Sequence, residues 1–177
     1  MSITGSISSL STAMTLADFT CLGLIIPHLR GRDAAAVIQE LGQAMQREQR
    51  VPDLLPLCQA ALDRELLMST DFEGGMAFPH ARLPGLKELS FALGRSDEPL
   101  RWGAKATCSV RFVFLMAVPA ADLNQYLQLI SGLARLAKDS RSVEKLYAAQ
   151  DPLQILDVLQ QIKLKTKLSP EDLELLK

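Results

Sequence analysis

Apolar residues recur in this chain with two different spacings. Spacings of three and four residues, typical of a helix with one buried face, predict helices over Ala34–Glu48, Leu54–Leu67, Asp122–Ala137, Val143–Ala149 and Leu153–Ile162. Short apolar runs without that spacing predict strands over Thr20–Ile26, Met76–His80, Lys87–Gly94 and Ser109–Val118. This mixture predicts an α/β (α+β) fold, a three-layer α/β/α sandwich with a mixed sheet of about four to five strands.

Local signals refine these boundaries. Asp33 is a predicted N-cap for the first helix, and Asp151-Pro152 opens the last of the five. In the second helix one stripe is apolar; it contains Leu55, Cys58, Leu62 and Leu66. The polar stretch Arg95–Thr107, with Asp97-Glu98-Pro99, is predicted to be a connection between two strands.

The domain is predicted to span residues 1–162, with residues 1–14 flexible because they are rich in serine and threonine. Residues 163–177 are predicted to form a C-terminal tail or short helix. Ser169-Pro170-Glu171-Asp172 reads as an N-cap, a proline at the first helical position and acids in the first turn. Two interpretations stay open for this segment: a packed or frayed tail, and a contact for a partner.

Composition excludes several classes of function. A net charge of −1 over 177 residues argues against a strongly basic nucleic-acid binder. No apolar run approaches the ~18 residues of a membrane span, and no basic leader precedes one, so a cytoplasmic protein without membrane insertion is expected. Three cysteines without C-x-x-C spacing are expected to be small core residues. Two distant histidines do not suggest a metal site.

Candidate chemistry concentrates around one of those histidines. His80 ends a short apolar run that follows Gly74-Gly75, and it is flanked by Arg64 and Arg82. Imidazole is largely neutral and nucleophilic near pH 7, and guanidinium groups bind phosphate oxygens in paired hydrogen bonds. The pattern therefore suggests a phosphoryl-accepting histidine. The other histidine, His28, also follows a proline but has no glycines before it, and it is expected to be a surface or structural residue.

The same segment resembles a known family. The chain is similar to the IIA component of the bacterial sugar phosphotransferase system (PTS), in the fructose/mannitol and nitrogen-regulatory branch, also called type-2 EIIA. The ordered motifs that carry the resemblance are Arg64-Glu65, Ser69-Thr70, Gly74-Gly75, Ala77-Phe78-Pro79-His80, Val118-Pro119-Ala120 and Leu127-Gln128-Leu129. The likeness extends from about residue 15 to about residue 160, and it implies the three-layer fold predicted above.

The resemblance implies a phosphocarrier with a phosphohistidine intermediate, rather than an enzyme that turns over a small molecule, and no cofactor. His80 would accept a phosphoryl group from the histidine-containing phosphocarrier protein and pass it to a IIB domain. Arg64 would stabilise the phosphate, with Arg82 as a weaker candidate. Ser69 and Thr70 either donate hydrogen bonds to the phosphate or only shape the turn, and a structural ion pair is expected for Glu65.

One position departs from the family pattern. Many members have a second histidine where this chain has Tyr126, which donates a hydrogen bond but carries no positive charge. Asp71 and Glu73 also add negative charge near an anion site. These departures keep a second function open: a nitrogen-regulatory type of binding module that controls a partner protein, with slow or absent phosphotransfer. The intact Arg64 and Pro79-His80 pattern favours the transfer function.

Overall fold

The structure is a computed structural model that describes residues 13–103 and 109–174. Within these residues the chain forms six strands and six helices. The strands are β1 (Ile25–Ile26), β2 (Asp71–Phe72), β3 (Met76–Ala77), β4 (His80–Leu83), β5 (Ser90–Arg101) and β6 (Ser109–Pro119). The helices are α1 (Ala34–Arg47), α2 (Leu54–Leu67), α3 (Asn124–Lys138), α4 (Ser140–Ala148), α5 (Pro152–Gln160) and α6 (Pro170–Glu174).

All six strands belong to one mixed sheet. β6 lies at its centre, antiparallel to β5 on one side and parallel to β3 and β4 on the other. β1 extends the sheet beyond β5, and β2 extends it beyond β3. Because β3 and β4 both pair with β6, they occupy consecutive stretches of the same sheet position.

Two apolar clusters lie on opposite faces of this sheet. One includes residues of α1 and α2, and the other includes residues of α3, α4 and α5. Alternate residues of β6 enter the two clusters, since successive side chains of a strand point to opposite faces. The predicted three-layer α/β/α fold with a mixed sheet is therefore confirmed. None of the described helices is both long enough and apolar enough to cross a bilayer.

The predicted helices agree closely with those observed. Asp33 caps α1 by accepting a hydrogen bond from the Ala36 amide at 2.8 Å, and Asp151 caps α5 through the Gln154 amide at 2.9 Å. α2 has the predicted bounds, and Arg64 lies in its last turn.

The apolar stripe identified in α2 is only partly buried: Cys58 is buried and Leu62 half-buried. Leu55 and Leu66 are 75% and 85% exposed, whereas the buried residues are Leu57, Cys58, Ala61 and Glu65. Two adjacent stripes of this helix are rich in apolar residues, so helical spacing alone could not choose between them. The neighbouring α1 and β4 decide which stripe is covered.

The strands differ more from the predictions than the helices do. Most of Thr20–Ile26 is irregular or 3₁₀-helical, and only Ile25–Ile26 pairs with the sheet. The predicted strand Met76–His80 is divided by Phe78 and Pro79 into β3 and β4. The carbonyl of Pro79 nevertheless accepts a hydrogen bond from the Met116 amide at 2.9 Å, so the chain stays against β6 across the interruption.

The predicted connection Arg95–Thr107 begins instead as part of β5, which continues to Arg101 through an irregularity between Arg95 and Leu100. Arg95 is buried, and its guanidinium donates hydrogen bonds to the carbonyls of Leu146 and Ala149. The charged Arg95 side chain can be buried because carbonyl groups accept hydrogen bonds from its guanidinium. The polar residues of this segment therefore led to the wrong prediction of a connection in place of a strand. Residues 104–107 lie outside the described part of the chain.

The glycine turn before β3 is fixed by close packing. Gly74 has a φ of 72°, in the region that L side chains rarely adopt. A Cβ atom here would lie 2.5 Å from the backbone oxygen of Ala137 in α3. Glycine therefore lets the turn approach α3.

The segment after α5 crosses α3 before α6 begins. Leu164 is buried, and the carbonyls of Lys163 and Thr166 accept hydrogen bonds from Arg135 and Gln128 of α3. The described part of the C-terminal segment is thus packed against the domain. A single-domain boundary at residue 162 stays a prediction.

Candidate functional site

His80 begins β4, on the sheet face covered by α3. Its side chain is half-buried, and the register places it opposite Met116 of β6. Phe78 and Pro79 precede it as the break between β3 and β4, which leaves the Phe78 carbonyl outside the strand ladder. That carbonyl lies 3.1 Å from Nδ1 of His80.

This contact determines which imidazole nitrogen is available for chemistry. A carbonyl oxygen only accepts hydrogen bonds, so Nδ1 of His80 carries the proton and donates to Phe78. In the neutral ring Nε2 then holds the lone pair. The local backbone thus orients the ring and leaves Nε2 as its unprotonated nitrogen.

The ring borders a surface depression of about 340 Å³. Five of the six residues predicted from sequence to belong to the site line it; they are Arg64, Ser69, Thr70, His80 and Tyr126. The sixth, Arg82, lies outside this lining. The remaining wall is formed by Asp71, Phe72, Phe78, Leu127, Ile130 and Ala134. Two segments far apart in sequence, the end of α2 with its following loop and the start of α3, therefore meet at His80.

Tyr126 lies against His80. The two ring centroids are 5.5 Å apart with an interplanar angle of 42°. Burial raises the pKa of Tyr126, against the opposing effect of Arg82 and Arg64, so the phenol is a neutral hydrogen-bond donor near pH 7. The residue at the predicted second-histidine position thus faces the same depression as His80.

The electrostatic environment keeps the His80 imidazole neutral. Burial is the main cause that lowers its pKa, and the positive charges of Arg64 and Arg82 act in the same direction. The Phe78 carbonyl and the Glu65 carboxylate oppose this shift. Arg64 also donates a hydrogen bond to the Met68 carbonyl at 2.8 Å, which holds its side chain over the end of α2. Arg82 is exposed, two residues along β4 from His80.

Sequence reasoning missed the network behind this site. The Glu65 carboxylate, only 8% exposed, accepts hydrogen bonds from the amide and hydroxyl of Thr70 and from Nε1 of Trp102. The expected ion pair of Glu65 was wrong: in the described residues its carboxylate forms no salt bridge. Trp102 is fully buried, as a packing residue should be, but its bond to Glu65 had no sequence signal across 37 positions.

The hydroxyl of Ser69 is buried and has no hydrogen-bond partner among the described residues, whereas the hydroxyl of Thr70 donates to Glu65. Both interpretations of this pair, hydrogen bonds to a phosphate and shaping of the turn, therefore stay predictions.

His28, Cys21 and Cys58 are not part of the lining of this depression. Nδ1 of His28 is 2.9 Å from a carboxylate oxygen of Asp97, and the His28 side chain is 63% exposed, as predicted for a surface residue. Cys58 is buried and Cys21 only half-buried, so the core prediction is confirmed for Cys58 alone. Cys108 falls outside the described residues.

Comparison with protein-family models identifies the group to which this arrangement belongs. The model described as the phosphoenolpyruvate-dependent sugar phosphotransferase system, EIIA 2, matches residues 19–162. The chain belongs to this family. The match covers α1–α5 and the whole described sheet, together with every residue of the candidate site.

Individual relatives come from both branches of the family. A nitrogen regulatory protein of Bradyrhizobium diazoefficiens is 29% identical over 151 residues, covering 82% of this chain and 95% of the relative. The crystal structure of the nitrogen regulatory protein IIA-Ntr from Neisseria meningitidis has a TM-score of 0.74 at 24% identity, covering 81% and 98% of the two chains. A complex of IIA mannitol with phosphorylated IIB mannitol from Escherichia coli contains a chain with a TM-score of 0.66 at 20% identity, covering 79% and 97%. The two structures share the fold of this chain.

Proposed function

We propose that this protein is a cytoplasmic phosphocarrier that accepts a phosphoryl group on Nε2 of His80 from the histidine-containing phosphocarrier protein and donates it to a IIB domain. The observation that carries the proposal is the hydrogen bond from Nδ1 of His80 to the Phe78 carbonyl, beside Arg64 and at the edge of a depression. This arrangement leaves a neutral ring nitrogen facing the place where an anion can enter.

In the accepting step, the lone pair on Nε2 of His80 attacks the phosphorus atom of the donor phosphohistidine. The new P–N bond forms as the P–N bond of the donor breaks, and the leaving nitrogen keeps that electron pair. Nδ1 retains its proton, so no base has to remove one from His80. The Phe78 carbonyl stabilises the positive charge that the ring then acquires, and the reverse sequence delivers the group to the acceptor.

Charge stabilisation comes from the arginines. The three equatorial oxygens of the moving phosphoryl group carry negative charge, and positioned cations lower the barrier to its transfer. Arg64 lines the depression with its side chain held by the Met68 carbonyl, so little reorganisation is needed. Arg82 contributes positive charge from the same strand as His80 and acts more weakly because it is exposed.

The proposed acceptor is supported by the complex of a structurally similar IIA mannitol chain with phosphorylated IIB mannitol. The family description, a sugar phosphotransferase system EIIA, supports the same pair of partners. A IIB domain would have to bring its acceptor side chain over the depression that contains His80.

A second candidate function is a regulatory binding module, favoured by Tyr126. Without a second histidine the site has one fewer group able to carry positive charge next to the phosphoryl group. A slow transfer protein of this kind would act through the partner that it binds in one phosphorylation state. Relatives that are named nitrogen regulatory proteins support this alternative.

The test of the proposed function uses the full chain with the phosphocarrier protein, enzyme I and phosphoenolpyruvate. Intact-mass measurement is expected to show the addition of one phosphoryl group in the parent and none in His80→Gln. His28→Gln is the matched control, because the chain contains only these two histidines, and it should be phosphorylated like the parent.

Equal phosphorylation of the parent and His80→Gln would contradict the assignment of His80. A parent that folds but takes up no phosphoryl group would contradict phosphotransfer altogether and favour the binding module.

A further inference from the structure

The carboxylate of Glu65 is held by three neutral donors. Its Oε1 accepts from the Thr70 amide and from Nε1 of Trp102, each at 2.7 Å, and its Oε2 accepts from the Thr70 hydroxyl at 2.6 Å. Glu65 is 8% exposed and Trp102 is fully buried. Removing a carboxylate from water is costly unless hydrogen bonds replace those lost. Displacing Thr70 or Trp102 would break these bonds and leave a buried charge unsatisfied, so the cluster favours a single arrangement.

The cluster is continuous with His80 through two residues. The carbonyl of Thr70 accepts a hydrogen bond from the Phe78 amide at 3.1 Å, and the carbonyl of Phe78 lies 3.1 Å from Nδ1 of His80. Thr70 and Phe78 are therefore each tied on two sides. Movement of the Thr70 loop would move Phe78, whose carbonyl determines the orientation and tautomer of the imidazole.

We propose that Glu65 is a positioning residue for His80, acting through Thr70 and Phe78, with Trp102 anchoring its carboxylate from the end of β5. By fixing the loop after α2, Glu65 keeps the Phe78 carbonyl where it binds the Nδ1 proton and leaves Nε2 unprotonated. Its consequence for phosphotransfer rests on the proposed function; its consequence for the imidazole tautomer does not.

The same contacts explain why an acidic residue lies beside an anion site. A glutamate here would repel a phosphoryl group if it faced the depression. Its two oxygens are instead occupied by Thr70 and Trp102, and Glu65 is absent from the lining of the depression. The carboxylate therefore does not line the depression into which an anion would enter.

The test measures the tautomer of His80 by ¹⁵N NMR of the ring nitrogens in the full chain above pH 7, without any phosphoryl donor. In the parent, Nδ1 is expected at a protonated position and Nε2 at an unprotonated one. In Glu65→Leu the two shifts should move toward each other as the ring exchanges between tautomers. Its phosphorylation rate should fall about tenfold, equivalent to about 1.4 kcal/mol of barrier.

Two matched variants separate the positioning role of Glu65 from the effect of its charge and from the effect of replacing any acidic residue of α2 by leucine. Glu65→Gln should retain the parent tautomer, because an amide oxygen can accept from Thr70 and Trp102 while the amide nitrogen donates to the Thr70 hydroxyl. Asp63→Leu removes an exposed carboxylate from the same helix and should leave the tautomer unchanged.

A folded Glu65→Leu variant with parent ring shifts would overturn the proposal, as would equal perturbation by Glu65→Gln and Glu65→Leu. Should Glu65→Leu not fold, hydrogen exchange of the parent decides: slow exchange of the Thr70 and Phe78 amides supports the chain of contacts, and fast exchange of Thr70 overturns it. If the parent is never phosphorylated, but its ring shifts are as expected and move toward each other in Glu65→Leu, the proposed function is refuted and the role of Glu65 is supported.

Discussion

The chain contains the sequence Pro-His-x-Arg twice, at Pro27–Arg30 and at Pro79–Arg82. Both copies follow an apolar residue, and both lie at the sheet. His28 nevertheless pairs with the carboxylate of exposed Asp97, whereas His80 donates to a backbone carbonyl and lies against the ring of Tyr126. The same four-residue pattern therefore gives two chemically different imidazoles.

The difference comes from what the fold brings to each copy. His28 meets a carboxylate at an exposed position, while the carbonyl at Nδ1 of His80 fixes one neutral tautomer without supplying a charge. Of the two histidines, His80 alone borders the depression beside α3, and Arg64 of helix α2 lines the same depression. Chemical competence depends here on neighbours that are distant in sequence.

Among the variants that test the difference between His80 and His28, Arg64→Gln is expected to change the phosphorylation rate most. The variant removes the positive charge but keeps a donor for the Met68 carbonyl, so the end of α2 should persist. We expect the initial rate of phosphorylation of His80 to fall about 100-fold, equivalent to about 2.7 kcal/mol of barrier. Phosphocarrier-dependent labelling over time measures this rate.

Arg30→Gln is the control for that experiment, since Arg30 stands two residues after His28 just as Arg82 stands after His80. It should leave the rate unchanged. Equal rates for the parent and Arg64→Gln would remove Arg64 from the mechanism.

A smaller effect is expected from restoring a charge-capable group beside His80. Tyr126→His places an imidazole against the depression, where a protonated ring would stabilise the transferring phosphoryl group. The transfer rate should rise about tenfold, equivalent to about 1.4 kcal/mol. Initial rates and melting curves of both proteins should be measured together. A well-folded variant that is no faster would show that the missing histidine is not what limits transfer, and the binding module would gain support.

The smallest effect concerns pH. The folded-state pKa of His80 lies below its unfolded value of 6.5, because burial and two arginines disfavour the charged ring. The unfolded chain therefore binds a proton first, and the stability that neutral His80 contributes is lost as pH falls from about 6.5 through the folded pKa. Between pH 7.5 and 5, Tm should fall more in the parent than in His80→Gln.

Another titrating group does not interfere in that range. Hydrogen bonds from Lys165 and Ser169 lower the pKa of Asp172 from 3.8 to about 2, so its contribution is lost only at more acidic pH. An equal change of Tm in the parent and His80→Gln would contradict the expected linkage.

Much of the fold was predictable because its helices have distinct ends and strong periodicity. Asp33 and Asp151 marked two helix starts correctly, and β6 was recognisable from its long β-branched and aromatic run. Which stripe of α2 is buried was not predictable. Hydrophobicity alone would bury Leu66 and expose Glu65, whereas the structure does the opposite. Burying Glu65 depends on donors from Thr70 and Trp102, and hydropathy does not register such donors.

The sequence by itself determined the helices and the type of fold, and it indicated candidate residues for phosphoryl chemistry, because periodicity, caps and ordered motifs are local properties. Only the tertiary structure decided which ring nitrogen of His80 is free, since that depends on the Phe78 carbonyl at the break between β3 and β4. It also decided that Arg64 and Tyr126 meet the same imidazole from α2 and α3. Proximity across long sequence separations follows from packing against the sheet, and no local pattern encodes it.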